Sequence, residues 1–213
     1  MIETFVDIFN AEQACNQLQH NGHDDWRLPT RIELLSIATY RATGSNKFWT
    51  SSSYARKASE HWVIDIGRGF LEHTEAHRAA RCVRAGNPGP NGPEVRFSEH
   101  GNGLWILDYV TGLTWEKGVG GQAVETSYSS VQARCEGLGD GFRVPTIHEL
   151  HSLVDDRASA PALAAMFQAL GWVWSSTPVA GAANQRWVLT DLDGETSASP
   201  TYGARSRCVK DGT

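Results

Sequence analysis

Apolar residues at Ile8, Ala11, Cys15 and Leu18 recur at the spacing of one helix face. The same spacing returns at Tyr128, Val131, Cys135 and Leu138. The pattern predicts two amphipathic helices, each carrying a cysteine in its apolar stripe. After each one, Thr30 precedes Glu33 and Thr146 precedes Glu149 by three residues. That is the capping-box spacing, in which hydroxyl and carboxylate satisfy free N–H groups, and it predicts a second, short helix. The chain then turns to aromatic and β-branched runs. Residues 62–66 with Gly67 and Gly69, and residues 187–192 with Asp193 and Gly194, read as hairpins. Residues 104–108 and 113–115 read as two strands around the turn at Thr111-Gly112.

These elements form an internal duplication. Trp26-Arg27-Leu28-Pro29-Thr30 returns as Phe142-Arg143-Val144-Pro145-Thr146, and Glu33-Leu34 as Glu149-Leu150. Trp49-Thr50-Ser51-Ser52 matches Trp174-Ser175-Ser176-Thr177, and Trp62 matches Trp187. Arg81-Cys82-Val83-Arg84 closes the first copy as Arg207-Cys208-Val209-Lys210 closes the second. The Pro- and Gly-rich stretch at 87–93 reads as a linker, giving a first repeat at 1–86 and a second at 94–213. The order helix, helix, short strands predicts an α+β fold, each copy with two helices and a small antiparallel sheet. The strands at 104–115 have no match in the first copy, which is expected to begin in its helix without an opening strand. On this reading the chain is a piece of a longer protein, and Trp172 lies in an insertion.

Composition narrows the class. The 213 residues are 40% hydrophobic and 20% charged, which suits a globular chain of one large domain or two small ones. The longest apolar stretch, 161–174, is broken by Gln168 and Gly171 and is too short for a bilayer. A net charge of −5 with no Lys/Arg run argues against nucleic acid and anionic membrane as partners. The four cysteines allow three pairings, of which the duplication favours Cys15 with Cys82 and Cys135 with Cys208. Four buried free thiols are the alternative. Bridges imply an oxidising compartment, so the protein is expected to be secreted, periplasmic or on the cell surface. Residues 1–14 have neither the basic n-region nor the apolar h-region of a signal peptide, so any such peptide is expected to lie upstream of this sequence.

Residues 111–115 (Thr-Gly-Leu-Thr-Trp), Trp26-Arg27-Leu28-Pro29-Thr30 with Glu33-Leu34, Trp174-Ser175-Ser176 and the closing Arg-Cys-Val-Arg carry a family resemblance. The chain resembles two copies of the C-terminal domain of the bacterial collagen-like adhesin Lcl. The resemblance implies a C-type-lectin-like fold with the helix cysteine bridged to the last strand. It also implies a cell-surface or secreted setting and, for the adhesin, binding of sulfated polysaccharide. The charge is not that of a general polyanion binder. Residues 1–88 carry ten basic and ten acidic side chains, and residues 89–213 carry nine against fourteen. The Glu-Pro-Asn and Trp-Asn-Asp triplets of calcium-dependent sugar-binding lectins are absent, and no oxygen cluster suits calcium.

Catalytic and metal motifs are weak. His73 and His77 are four apart, but in a stretch that reads as strand or loop. His148-Glu149-Leu150-His151 lacks zinc-protease spacing, and Glu149 already has a capping role. The serines at 51–53 and 175–176 sit in no nucleophile elbow, and no Cys-x-x-Cys pair exists. No enzyme, metal or cofactor is expected.

Positions that differ between the copies are free to carry specificity. In the first these include Arg56, Lys57, His61, Arg68, His73, His77 and Arg78, a cationic set. In the second they include Asn184, Gln185, Arg186, Asp191, Asp193, Glu195 and Tyr202, a mixed polar set suited to hydroxyls. The sequence thus predicts a non-catalytic recognition or adhesion module. The expected partner is a glycan or cell-surface polysaccharide, with the first copy contacting anionic groups. The alternative is a protein–protein or structural module binding an envelope protein. A metal-dependent hydrolase is the third reading.

Overall fold

A computed structural model describes residues 2–39, 46–84, 96–118, 123–198 and 203–212. The expected linker at 87–93 lies outside them. The chain divides into two units: Met1–Asn87 with Asp156–Ser159 and Val179–Ala183, and Pro88–Asp155 with Ala160–Pro178 and Asn184–Thr213. The architecture is mixed α+β with strands predominating.

In the first unit, β1 (Ile2–Val6) leads into α1 (Ile8–Asn16). Asp7 starts the helix because its carboxylate accepts the Asn10 N–H at 2.8 Å. Ala11 and Cys15 are its buried face. The short α2 (Arg31–Leu35) begins at the predicted capping box, with Thr30 and Glu33 each bonding the other's backbone. β2 (Lys47–Tyr54), β3 (Lys57–Asp65), β4 (Leu71–Thr74) and β5 (Arg78–Ala80) follow. They join β1 in one sheet, ordered β1-β5-β2-β3-β4. The pair of β5 with β2, at Phe48 and Ala79, is parallel, and the others are antiparallel. Gly69 makes the return from β3 possible: at φ 76° its N–H reaches the Asp65 carbonyl at 2.7 Å. The core gathers Ala11, Cys15, Leu28, Trp49, Val63 and Ala80.

The second unit starts with β6 (Phe97–His100), β7 (Trp105–Asp108) and β8 (Leu113–Glu116). The helices are α3 (Tyr128–Gly137), capped by Ser127, and α4 (Ile147–Ser152), with the Thr146–Glu149 capping box. β9 (Trp172–Val179), β10 (Ala182–Thr190), β11 (Thr196–Ala198) and β12 (Val209–Asp211) complete it. One sheet runs β11-β10-β9, and an antiparallel one runs β12-β8-β7-β6. The core gathers Val131, Cys135, Phe142, Val144, Trp174 and Val188. Cys15 is bridged to Cys82 and Cys135 to Cys208, each with a Cα separation of 5.4 Å. Closing loops of this size stabilises each unit by about 4 kcal/mol in the chain-entropy model.

Two expectations need correction. The first copy does not begin in its helix, because β1 precedes it and pairs with β5. Its counterpart in the second unit is the bridge from Glu125 to Ala204, so β1 does not replace β7 and β8. Those two strands have no counterpart among the described residues of the first unit. Nor does Trp172 lie in an insertion. It is the first residue of β9, where Lys47 begins β2, and it packs against the core.

Candidate functional site

Many of the repeated polar residues hold the fold together, and these do so in the same way in both copies. Arg27 grips Glu33 with two hydrogen bonds of 2.8 and 2.7 Å, and Arg143 grips Glu149 at 2.9 and 2.7 Å. The Arg27 backbone exchanges two bonds with Val83, as Arg143 does with Val209, so each motif clasps its closing segment. The serines are equally occupied. Ser51 Oγ donates to the Pro29 carbonyl at 3.3 Å, and Ser176 Oγ donates to Pro145 at 3.2 Å. Trp49 and Trp174 send their indole N–H to the carbonyls of Val6 and Glu125. His151 is buried, and Glu149 is committed to its cap.

The cationic set of the first repeat gathers along β3, β4 and β5, where carboxylates from neighbouring strands meet it. Lys57 pairs with Glu60 at 2.8 Å and Glu75 at 3.0 Å, and Arg78 with Glu72 at 2.7 Å. Arg68 pairs with the buried Asp65 at 2.8 Å and lies over the Phe70 ring. His73 pairs with Glu60 and stacks on Tyr54 with the ring centroids 3.7 Å apart. Arg56 and His77 are exposed, Arg56 in the turn from β2 to β3. His61 is half-buried, and that burial pushes its imidazole below the ordinary pKa, with the Glu12 carboxylate opposing. Among the described residues, no group of three or more His, Cys, Asp or Glu converges as metal ligands would.

In the second repeat, Asn184 and Gln185 are exposed near the start of β10. Asp193 is partly exposed and accepts the Glu195 N–H at 3.3 Å. Tyr202 lies outside the described residues. Asp191 is buried and accepts the N–H groups of Leu170 at 2.6 Å and Gly171 at 2.9 Å. Burial raises its pKa despite these bonds and the nearby guanidinium of Arg207. Arg207 is itself buried and donates to the carbonyls of Glu116, Lys117 and Gln168. Burial lowers its pKa to about 10. The two buried groups lie 3.7 Å apart.

Arg186 occupies a different setting. It lies over the Tyr128 ring at 4.7 Å, beside a cleft of about 330 Å³ lined by Tyr128, Gln132, Glu136, Arg143, Thr146 and Ser176. α3 supplies the first three at positions i, i+4 and i+8, which share one helix face. Gln132 donates to Glu136 at 2.9 Å, holding both polar groups at the mouth. The cleft combines an aromatic ring, an amide, a carboxylate and hydroxyls. Sequence reasoning reached Arg186 but missed Tyr128, Gln132 and Glu136, which it read only as helix. A signal was present: the matching positions in the first copy are Ile8, Glu12 and Asn16.

The fold therefore defines a tandem, disulfide-bridged α+β repeat protein whose shared residues are structural and whose clefts differ. The model of the Lcl C-terminal domain matches residues 3–84 and 105–210, and the chain belongs to that family as two copies in tandem. The first match is the shorter one, as expected where β7 and β8 have no counterpart among the described residues of the first unit. A search of curated proteins gives no match. Among the described residues, no helix is long and apolar enough to cross a membrane.

Proposed function

We propose that this protein is a non-catalytic extracellular recognition module that binds polysaccharide through the α3 cleft, on C-type-lectin-like domains. The observation that carries this reading is the composition of the cleft. Sugar rings present an apolar face and a rim of hydroxyls, and Tyr128 with Gln132 and Glu136 offers a partner for each. The two disulfides support a secreted or cell-surface setting, since such bridges persist in oxidising compartments. The occupied serines, the capping role of Glu149 and the burial of His151 support a role without catalysis.

The cations of the first repeat are a poorer contact for anionic sugars. Lys57, Arg68 and Arg78 each face a carboxylate of their own unit, which reduces the field available to a polyanion. A protein partner is the second reading. It is favoured by the adjacent, exposed Tyr109 and Val110 between β7 and β8.

A glycan array with calcium and with chelator tests the proposal. Selective, calcium-independent binding that Gln132→Ala weakens supports the cleft. A blank array, or binding indifferent to both Gln132→Ala and Tyr128→Ala, overturns it.

A further inference from the structure

The frame of the α3 cleft is present a second time. In the first unit Arg27 holds Glu33, Thr30 caps α2 through the same carboxylate, and Ser51 bonds Pro29, as Arg143, Thr146 and Ser176 do around the cleft. The variable positions of that frame differ. Ile8, Glu12 and Asn16 share one face of α1 where α3 has Tyr128, Gln132 and Glu136. His61, next to Trp62, stands where Arg186 precedes Trp187. In the second unit β8 meets α3 from the Arg134 side, through Glu116, and leaves the 128–132–136 face to the cleft.

The charges on the two faces differ in kind. Arg186 is a permanent guanidinium over the Tyr128 ring. His61 is half-buried, and its Nδ1 is buried without a hydrogen-bond partner among the described residues. Burial holds the imidazole below its ordinary pKa, so it is neutral above pH 7. Its neighbours in register, Ser53 on β2 and Thr74 on β4, carry no charge. Glu72 and Glu75, on and just after β4, are taken by Lys47, Arg78 and Lys57. The charge that acts on His61 is the Glu12 carboxylate from α1. Glu12 is partly buried and makes no hydrogen bond or ion pair among the described residues. A carboxylate partly withdrawn from water, on one helix face with Ile8 and Asn16, attracts a cation more strongly than one fully hydrated.

We propose that this face of the first repeat is a second sugar site, selective for a sugar that carries a free ammonium group. Glu12 is the counter-ion, Ile8 the apolar contact for the ring, and the Asn16 amide a partner for hydroxyls. Acid closes the site. Once protonated, His61 pairs with Glu12 and repels the incoming ammonium, so affinity is highest above the imidazole pKa and falls as pH drops through it. The α3 cleft has no histidine in its lining and lacks this response. The inference rests on the reading of the α3 cleft as a sugar site, and it assigns the two repeats ligands of different charge.

The test is an NMR titration of the intact chain with methyl 6-amino-6-deoxyglucoside, whose alkylammonium stays charged below pH 8, and with its N-acetyl derivative. At pH 7.5 the amine is expected to shift the His61 ring and Asn16 side-chain signals saturably. The N-acetyl form, and the amine with the Glu12→Gln protein, should each bind there about tenfold more weakly. Affinity of the wild type should fall by about tenfold between pH 7.5 and pH 5.5, and that of His61→Asn should not. Retained disulfides and an unchanged Tm confirm that both variants are folded. Equal binding of the acetylated sugar, indifference to Glu12→Gln, or the same acid loss in His61→Asn overturns the proposal. Shifts confined to Gln132 and Glu136 overturn it while sustaining the α3 cleft. No shift at either face overturns it too, and the α3 cleft then stands or falls on the glycan array.

Discussion

Arg143 holds Glu149 by two parallel hydrogen bonds, and the same carboxylate accepts the Thr146 N–H at 2.7 Å. One glutamate therefore ties a helix start to the segment that clasps the closing strand. Glu149→Gln is expected to destabilise the second unit by about 1–3 kcal/mol, the range for a charged hydrogen bond combined with a lost cap. Burial pulls the Glu149 pKa up, but Arg143 and Thr146 pull harder, and the net shift is downward, as it is for Glu33. A depressed carboxylate adds stability above its unfolded pKa of 4.5 that is lost as pH falls through the folded value. Denaturant midpoints measured from pH 7 down to pH 3 should therefore fall in wild type and fall less in the glutamine variant.

Arg207→Met removes the donor to the carbonyls of Glu116, Lys117 and Gln168 and the counter-charge 3.7 Å from Asp191. The expected cost is about 3–5 kcal/mol, seen as a lower Tm. Arg207→Lys should rescue little, because one ammonium cannot reproduce the geometry of a planar guanidinium.

The two disulfides should differ in access. Cys82 is partly exposed, while Cys15, Cys135 and Cys208 are fully buried. Under limiting reductant with alkylation, mass spectrometry should show Cys15 and Cys82 labelled before Cys135 and Cys208. Equal labelling rates would contradict the greater exposure of Cys82.

If the α3 cleft binds glycan, Tyr128→Ala should weaken binding by about tenfold without lowering Tm to match. The double change Arg56→Ala with Lys57→Ala should leave affinity unchanged, and 0.5 M salt should have little effect, since exposed charges are then screened. A steep salt dependence in the array-positive glycan would return the site to the cations of the first repeat.

What could be read from the sequence was local, periodic or doubled. The cysteine stripes at helix spacing, the Thr30–Glu33 and Thr146–Glu149 boxes and the hairpin turn at Gly69 rest on contacts a few residues apart. The Cys15–Cys82 and Cys135–Cys208 pairs are distant in sequence, but the duplication favoured the one pairing that closes each copy on itself. Tertiary structure alone decided the electrostatics and the surface. Lys57 meets Glu75 because β4 runs back along β3, and Arg78 on β5 meets Glu72 on β4, six residues earlier in the chain. Asp191 resembled a surface ligand in sequence and is buried because the 170–171 backbone and Arg207 close over it. The cleft draws on α3, the 143–146 loop and β9, which no periodicity relates.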